Sequence, residues 1–153
     1  MRKFFYLLVI SSIIFLLVGC TTTKYYTYKI NNGDKIKITI KTNNGYDINY
    51  NTPFELSKNK EIISYGFFID SDEFEKYKEL GNDNNKFEMI ENNSNDDIEY
   101  IFYKYNTDST EYNYVIKIKN SNTGIVIANN ISLDSAKDMF EHLNFKKENK
   151  KPL

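Results

Sequence analysis

Residues Lys35 to Lys41 alternate lysine or threonine with isoleucine, seven positions without a break. Such alternation has the two-residue period of a β-strand, whose successive side chains point to opposite faces. Ile36, Ile38 and Ile40 therefore form a core face, and Lys35, Lys37, Thr39 and Lys41 a wet one. A sheet that is dry on one side and wet on the other is typical of antiparallel pairing. Whatever the chain folds into has to cover that isoleucine face.

The flanking segments carry the same period. Tyr26, Tyr28 and Ile30 share a face ahead of Asn32-Gly33, a pair that takes the positive φ angles of a hairpin turn. A second turn, Asn43-Asn44-Gly45, leads to Tyr46, Ile48 and Tyr50, so three successive strands are expected as a meander. After Pro53, Phe54-Glu55-Leu56 ends at a polar loop over 57–60. Ile62 to Ile69 is apolar at both parities, which predicts a central strand covered on both faces, with Gly66 at a bulge or a close backbone approach. Asp70 to Glu73 has the composition of a helix start with a capping box; Phe74, Tyr77 and Leu80 share a helical face, and Gly81 is placed to stop the helix.

Phe87 to Glu91, Ile98 to Tyr105, Tyr112 to Lys119 and Ile125 to Ala128 read as further strands, separated by loops rich in Asn, Asp and Ser. Ser132 is positioned to cap a last helix whose apolar stripe is Ala136, Met139, Phe140 and Leu143. Phe145 is expected to fold back, ahead of a charged tail. The sum is an α+β domain: an antiparallel β-sheet of about six to seven strands with two short helices.

The N-terminus has a different character. Arg2 and Lys3 precede an apolar run from Phe4 to Val18 and then Gly19-Cys20. This is the plan of a secretory signal, and at about 22 Å the run falls short of a ~30 Å hydrocarbon core. Leu17-Val18-Gly19-Cys20 resembles the lipobox of bacterial lipoproteins. The resemblance implies a diacylglyceryl group on the Cys20 thiol, cleavage before that residue, and anchorage on the extracytoplasmic face of the cell membrane. The alternative is an uncleaved signal anchor with Cys20 as an ordinary residue. Cys20 is the only cysteine, so no internal disulfide is possible.

These features divide the chain into a signal peptide (1–19), a tether (20–24), one α+β domain (25–146) and a charged tail (147–153). Cleavage would leave 134 residues, enough for one core, with 18 basic and 21 acidic side chains. A formal charge of about −3 argues against nucleic acid as a partner. Composition leans to Asn, Lys, Ile, Tyr and Phe, residues with AT-rich codons, so twelve tyrosines in the cleaved chain need no functional cause.

Catalytic signals are thin. The single histidine, His142, is expected on the polar side of the last helix, and no nucleophile motif accompanies it. Asn93, Asn95 and Asp97 begin like a calcium loop, but Ile98 and Lys104 stand where Gly and Glu are required. Asp70, Asp72 and Glu73 are explained by helix capping. No cofactor and no metal are called for. Tyr100, Tyr103, Tyr105, Tyr112 and Tyr114 fall in adjacent strands and are the candidate anchors of a partner-binding patch, because two short helices cannot cover both faces of the sheet.

The strand-turn-strand-helix order of Tyr114 to Ile118, Thr123 to Ile127 and Ile131 to Ala136 loosely resembles the Mog1/PsbP-like group of small extracytoplasmic domains. Members of that group are mostly adaptor or accessory proteins, which implies a non-catalytic role. The leading expectation is thus a lipid-anchored binding or accessory module for a protein or envelope partner. The alternatives are a lipid-anchored hydrolase or carbohydrate-processing enzyme using carboxylates, and the solute-binding lipoprotein of a transporter, for which the chain is small.

Overall fold

The computed structural model describes residues 22–83, 86–106 and 108–148. The fold is α+β, with two antiparallel sheets, of three and seven strands, and two α-helices among the described residues. Strand β1 (Thr23–Lys29) pairs antiparallel with β2 (Lys35–Lys41) through the Asn31–Asp34 turn, where Gly33 takes φ +90°. The alternation of β2 is realised in full: Ile36, Ile38 and Ile40 have no solvent exposure, and Lys35 and Lys41 are exposed.

The expected meander does not continue. After β2 the chain makes a 3₁₀ turn at Asn43–Gly45, with Asn44 at φ +60° and Gly45 at φ +80°. This turn carries the chain out of the first sheet, so β3 (Tyr46–Asn49) pairs with β4 (Phe54–Lys58) instead. The vacated edge of β2 is taken by β10 (Leu143–Lys147), Phe145 lying opposite Ile38. The residues read as the start of a charged tail are therefore strand, and Phe145 is buried.

The larger sheet runs in the order β3-β4-β5-β9-β8-β7-β6. Its remaining strands are β5 (Glu61–Asp70), β6 (Phe87–Ser94), β7 (Ile98–Asn106), β8 (Thr110–Ile118) and β9 (Thr123–Asn129). Helix α1 (Ser71–Asp83) follows β5, and α2 (Leu133–Glu141) follows β9. Two cores result. The larger lies between the sheets and includes Ala136 and Met139 of α2; the smaller gathers Phe74 of α1 with Ile101, Tyr103, Val115 and Val126 on the opposite face. At roughly 25 cal/mol per Å² of apolar area buried, side chains such as Phe54, Phe102 and Ile116 each contribute about 1.5–3 kcal/mol.

Several local expectations change for physical reasons. β5 is not covered on both faces: α1 lies chiefly over β8, and Ile62, Tyr65 and Phe67 are exposed. Gly66 is a close approach: the Phe54 ring lies over it where a Cβ would stand. The irregularity in that pair is an extra residue on β5, Ile63, skipped between the Leu56–Ser64 and Ser57–Ile62 pairs, three positions before Gly66. Helix α1 runs past Gly81 to Asp83, and Leu80 is exposed instead of sharing the buried face of Phe74. β6 extends through Asn92 and Asn93 to Ser94, so the loop there is short, and the Asn95 side chain accepts from the Asp97 and Ile98 amides to form it. Ser132 caps α2 as expected, accepting from the Ser135 amide at 3.1 Å.

Candidate functional site: a groove at the end of the sheets

Strand β1 ends at Lys29, and β5 ends at Asp70, where α1 begins. Between these ends, the Asn31–Asn32 turn and the Thr52–Pro53 loop lies a groove of about 490 Å³. That volume falls within the range of about 300–1,000 Å³ usual for small-molecule sites. Tyr28 forms part of its wall, and its ring packs on Tyr50, Phe54 and Phe68 at centroid distances of 4.6, 5.7 and 5.0 Å. Strand alternation turns Tyr28 inward, because it shares parity with Tyr26 and lies opposite Ile36. The residue is only 4% exposed, yet among the described residues its hydroxyl has no hydrogen-bond partner. A buried, unsatisfied hydroxyl costs about 1–3 kcal/mol. Burial also pushes its pKa up from the ordinary phenol value.

The remaining lining is mixed. Pro53, Phe67 and Phe68 supply apolar surface, and Asp70, Glu73 and Lys29 supply charge. Neither Asp70 nor Glu73 forms an ion pair among the described residues. Among the described residues, the other exposed aromatic side chains are Tyr25, Tyr50 and Tyr65.

Two polar clusters tie the elements together, the first across the two sheets and the second between α2 and the larger sheet. Asp34 is buried: its carboxylate receives the Lys147 ammonium at 2.7 Å, the Asn122 amide at 2.8 Å and the Thr123 hydroxyl at 3.0 Å. Burial alone would push this carboxyl up, but those three donors hold it below its ordinary value. The second cluster centres on Asp138 of α2. Its Oδ2 accepts from Lys58 Nζ at 2.8 Å and from the Tyr46 hydroxyl at 2.5 Å. These bonds lower the Asp138 pKa and raise that of Lys58. His142 Nδ1 lies 2.7 Å from the Asp138 carbonyl oxygen, which can only accept, so Nδ1 carries the proton. The histidine is thus buried at the end of α2, against Tyr46, and not on the polar side of the helix.

The five candidate tyrosines do not form a surface patch. Tyr103 and Tyr114 are buried, and Tyr100, Tyr105 and Tyr112 are half-buried. Alternation divides them between the two faces. Tyr114 stacks on Phe140 of α2 at 3.9 Å, and Tyr100 meets the same ring edge-on; Tyr103 and Tyr105 pack on Phe87. The expectation assumed that only two helices were available as cover, whereas the three-stranded sheet helps enclose the inner face. Tyr100 does line a second hollow of about 510 Å³ beside the 93–98 loop, its hydroxyl bonded to Glu91 and its pKa pushed up to about 12 by burial and that bond.

Cys20 lies outside the described residues. Among the described residues no group of three or more His, Cys, Asp or Glu side chains converges on one point, and no helix is long and apolar enough to cross a membrane. The groove itself was missed in the sequence because its walls come from three separated segments, 28–32, 52–53 and 67–73; of its lining, the sequence drew attention only to Asp70 and Glu73, which it explained by helix capping. The chain matches no protein-family model, and no curated protein and no solved structure matches it either.

Proposed function

We propose that this chain is an extracytoplasmic lipoprotein, anchored through Cys20, whose α+β domain acts as a non-enzymatic binding or accessory module for a protein or envelope partner. The observation that carries the reading is the run from Phe4 to Val18 followed by Gly19 and the only cysteine of the chain. Two acyl chains suffice for stable anchorage where one is marginal. β1 starts at Thr23, three positions beyond Cys20. Three residues reach about 10 Å even when extended, so the anchor would hold the domain close to the bilayer. The resemblance of the β8-β9-α2 segment to Mog1/PsbP-like domains supports the non-catalytic half of the proposal. Partner contact is better sought on the exposed rings Tyr25, Tyr50, Tyr65 and Phe67 than on the five tyrosines of β7 and β8.

Metabolic labelling with a clickable fatty acid tests the anchor. The wild-type chain should take up label, and Cys20→Ala should take up none and be released or remain as an uncleaved precursor. Absence of label on the wild type would return the chain to the signal-anchor reading. Cross-linking on intact cells, followed by an alanine scan of the exposed rings against whatever is captured, tests the binding role. One or two positions costing at least ~2 kcal/mol are expected.

A further inference from the structure

We propose that the outer face of the three-stranded sheet docks on an anionic bilayer, its lysines lying against lipid phosphates beside the point where the chain is anchored. The register of β1, β2 and β10 puts Lys29, Lys35, Lys37, Lys41 and Lys146 on the side of that sheet turned away from the isoleucine core. Lys37 is half-buried and the other four are exposed. Glu148, which accepts from the Thr27 hydroxyl at 3.0 Å, is the one acid on this face among the described residues. Five lysines against one glutamate leave a local charge of +4, on a chain whose formal charge as a whole is −1.

The lysines of this face are unlike those elsewhere in the fold. None of the five has an ion-pair partner among the described residues, whereas Lys24, Lys58, Lys78, Lys104, Lys117 and Lys147 each have an acid. Lys29 lies directly opposite Lys35, and Lys37 directly opposite Lys146. Like charges at facing positions destabilise an antiparallel pair. Such an arrangement is unfavourable in water and becomes favourable against a plane of negative charge.

Place and shape favour a bilayer over other anions. The face runs about 20 Å along β2 and about 10 Å across three strands, so its charge is spread over a surface and not gathered around one ion. β1 begins at Thr23, opposite Lys41 and three positions beyond Cys20. On the anchorage proposed above, on which this inference rests, that end of the face lies within about 10 Å of the membrane. Attraction to headgroups decays over a Debye length of about 8 Å, so all five lysines gain only if the sheet lies flat. Tyr25, 63% exposed, stands on the same face with the Lys37 ammonium 4.1 Å from its ring centroid. Tyrosine is at home at headgroup level, where its ring and hydroxyl meet different solvents. A soluble phosphate polymer would gain nothing from the tether.

Lysine acetylation of the full chain in vesicles, read by mass spectrometry, tests the proposal. One set of vesicles is phosphatidylcholine alone, and the other carries about 30% phosphatidylglycerol. Acyl groups on Cys20, or an uncleaved apolar run over 4–18, would hold the chain in both sets, so the comparison reads the face and not the anchor. Lys35, Lys37, Lys41 and Lys146 should react at least about fivefold more slowly on the anionic vesicles, while Lys76, Lys78 and Lys117, on or beside α1, react alike on both. Salt at about 1 M, where the Debye length is about 3 Å, should abolish the difference. Lys35→Glu combined with Lys37→Glu neutralises the face and turns both like pairs into Glu–Lys pairs. That variant should keep the wild-type urea midpoint or exceed it, and lose the slowing at Lys41 and Lys146. Equal rates on the two vesicle sets overturn the proposal without any variant. Slowing that spreads to the α1 lysines, or that survives salt or the double substitution, also overturns it. Slowing of the same lysines by soluble polyphosphate and not by phosphatidylglycerol would overturn the bilayer and give the face to a soluble polyanion. Fatty-acid labelling decides the anchor separately: an unlabelled Cys20 with the slowing intact rejects the lipid anchor and keeps the docking face.

Discussion

The imidazole of His142 lies 4.1 Å from the ring of Tyr46, the two planes inclined at 30°, and this contact fastens the end of α2 to the edge strand β3. With the Tyr46–Asp138–Lys58 hydrogen bonds beside it, the pair joins the last helix to the far edge of the larger sheet. The solitary histidine, which invites a catalytic reading in any sequence, is here part of the packing.

His142→Ala should therefore lower stability by about 1–3 kcal/mol, the usual effect of losing a buried, hydrogen-bonded ring. A urea melt measures it. An unchanged midpoint would place the side chain in solvent.

Ile38→Ala removes a fully buried side chain opposite Phe145 and should cost about 2–5 kcal/mol. Lys37→Ala loses only a cation–π contact with exposed Tyr25, at 4.1 Å, and should cost at most about 1 kcal/mol. Equal effects of the two in denaturant would mean that the register of β2 is wrong.

Gly66→Ala would drive its new methyl group into the Phe54 ring. Phe54 has no exposure and nowhere to retreat, so a loss of about 1–3 kcal/mol is expected. Combining the change with Phe54→Leu should cost less than the sum of the single changes, because the two positions share one space.

Asp34 supplies a pH dependence. Its folded pKa lies below the ordinary 3.8, so its contribution is complete above that value and is lost as pH falls through the folded pKa. Thermal stability should thus decline on acidification below about pH 4, and Asp34→Asn should flatten part of that decline while lowering stability at neutral pH. Asp47, Glu75 and Asp138 are shifted the same way, so a residual slope remains in the variant. A full-sized slope in Asp34→Asn would show that the Lys147 contact is not formed.

Where a residue's fate depends on its immediate neighbours, the sequence was legible. The β2 alternation, the Asn32-Gly33 turn, the Ser132 cap and the division of Tyr100 from Tyr103 all follow from local periods and are all present. Where it depends on segments far apart, the sequence was mute. Nothing in Leu143 to Lys147 says that its partner is β2, and nothing in Tyr46 to Asn49 says that it leaves the first sheet. The tyrosine patch failed for the same reason, since the cover over Tyr114 and Tyr100 comes from Phe140, which no local pattern links to them. The groove is assembled from three such distant pieces, and only its acids were visible beforehand.

The pairing of β10 with β2 has a consequence for the order in which this chain can be completed. The isoleucine face of β2 acquires its second neighbour only from a strand roughly a hundred residues later, and such distant pairings form late and slowly. Until that strand arrives, Ile36, Ile38 and Ile40 lack part of their cover, and Asp34 lacks Lys147. For a chain exported as proposed above, this delay is an advantage: a nascent polypeptide that cannot lock its core from the front remains threadable. On that reading it would close only after export, when β10 reaches β2.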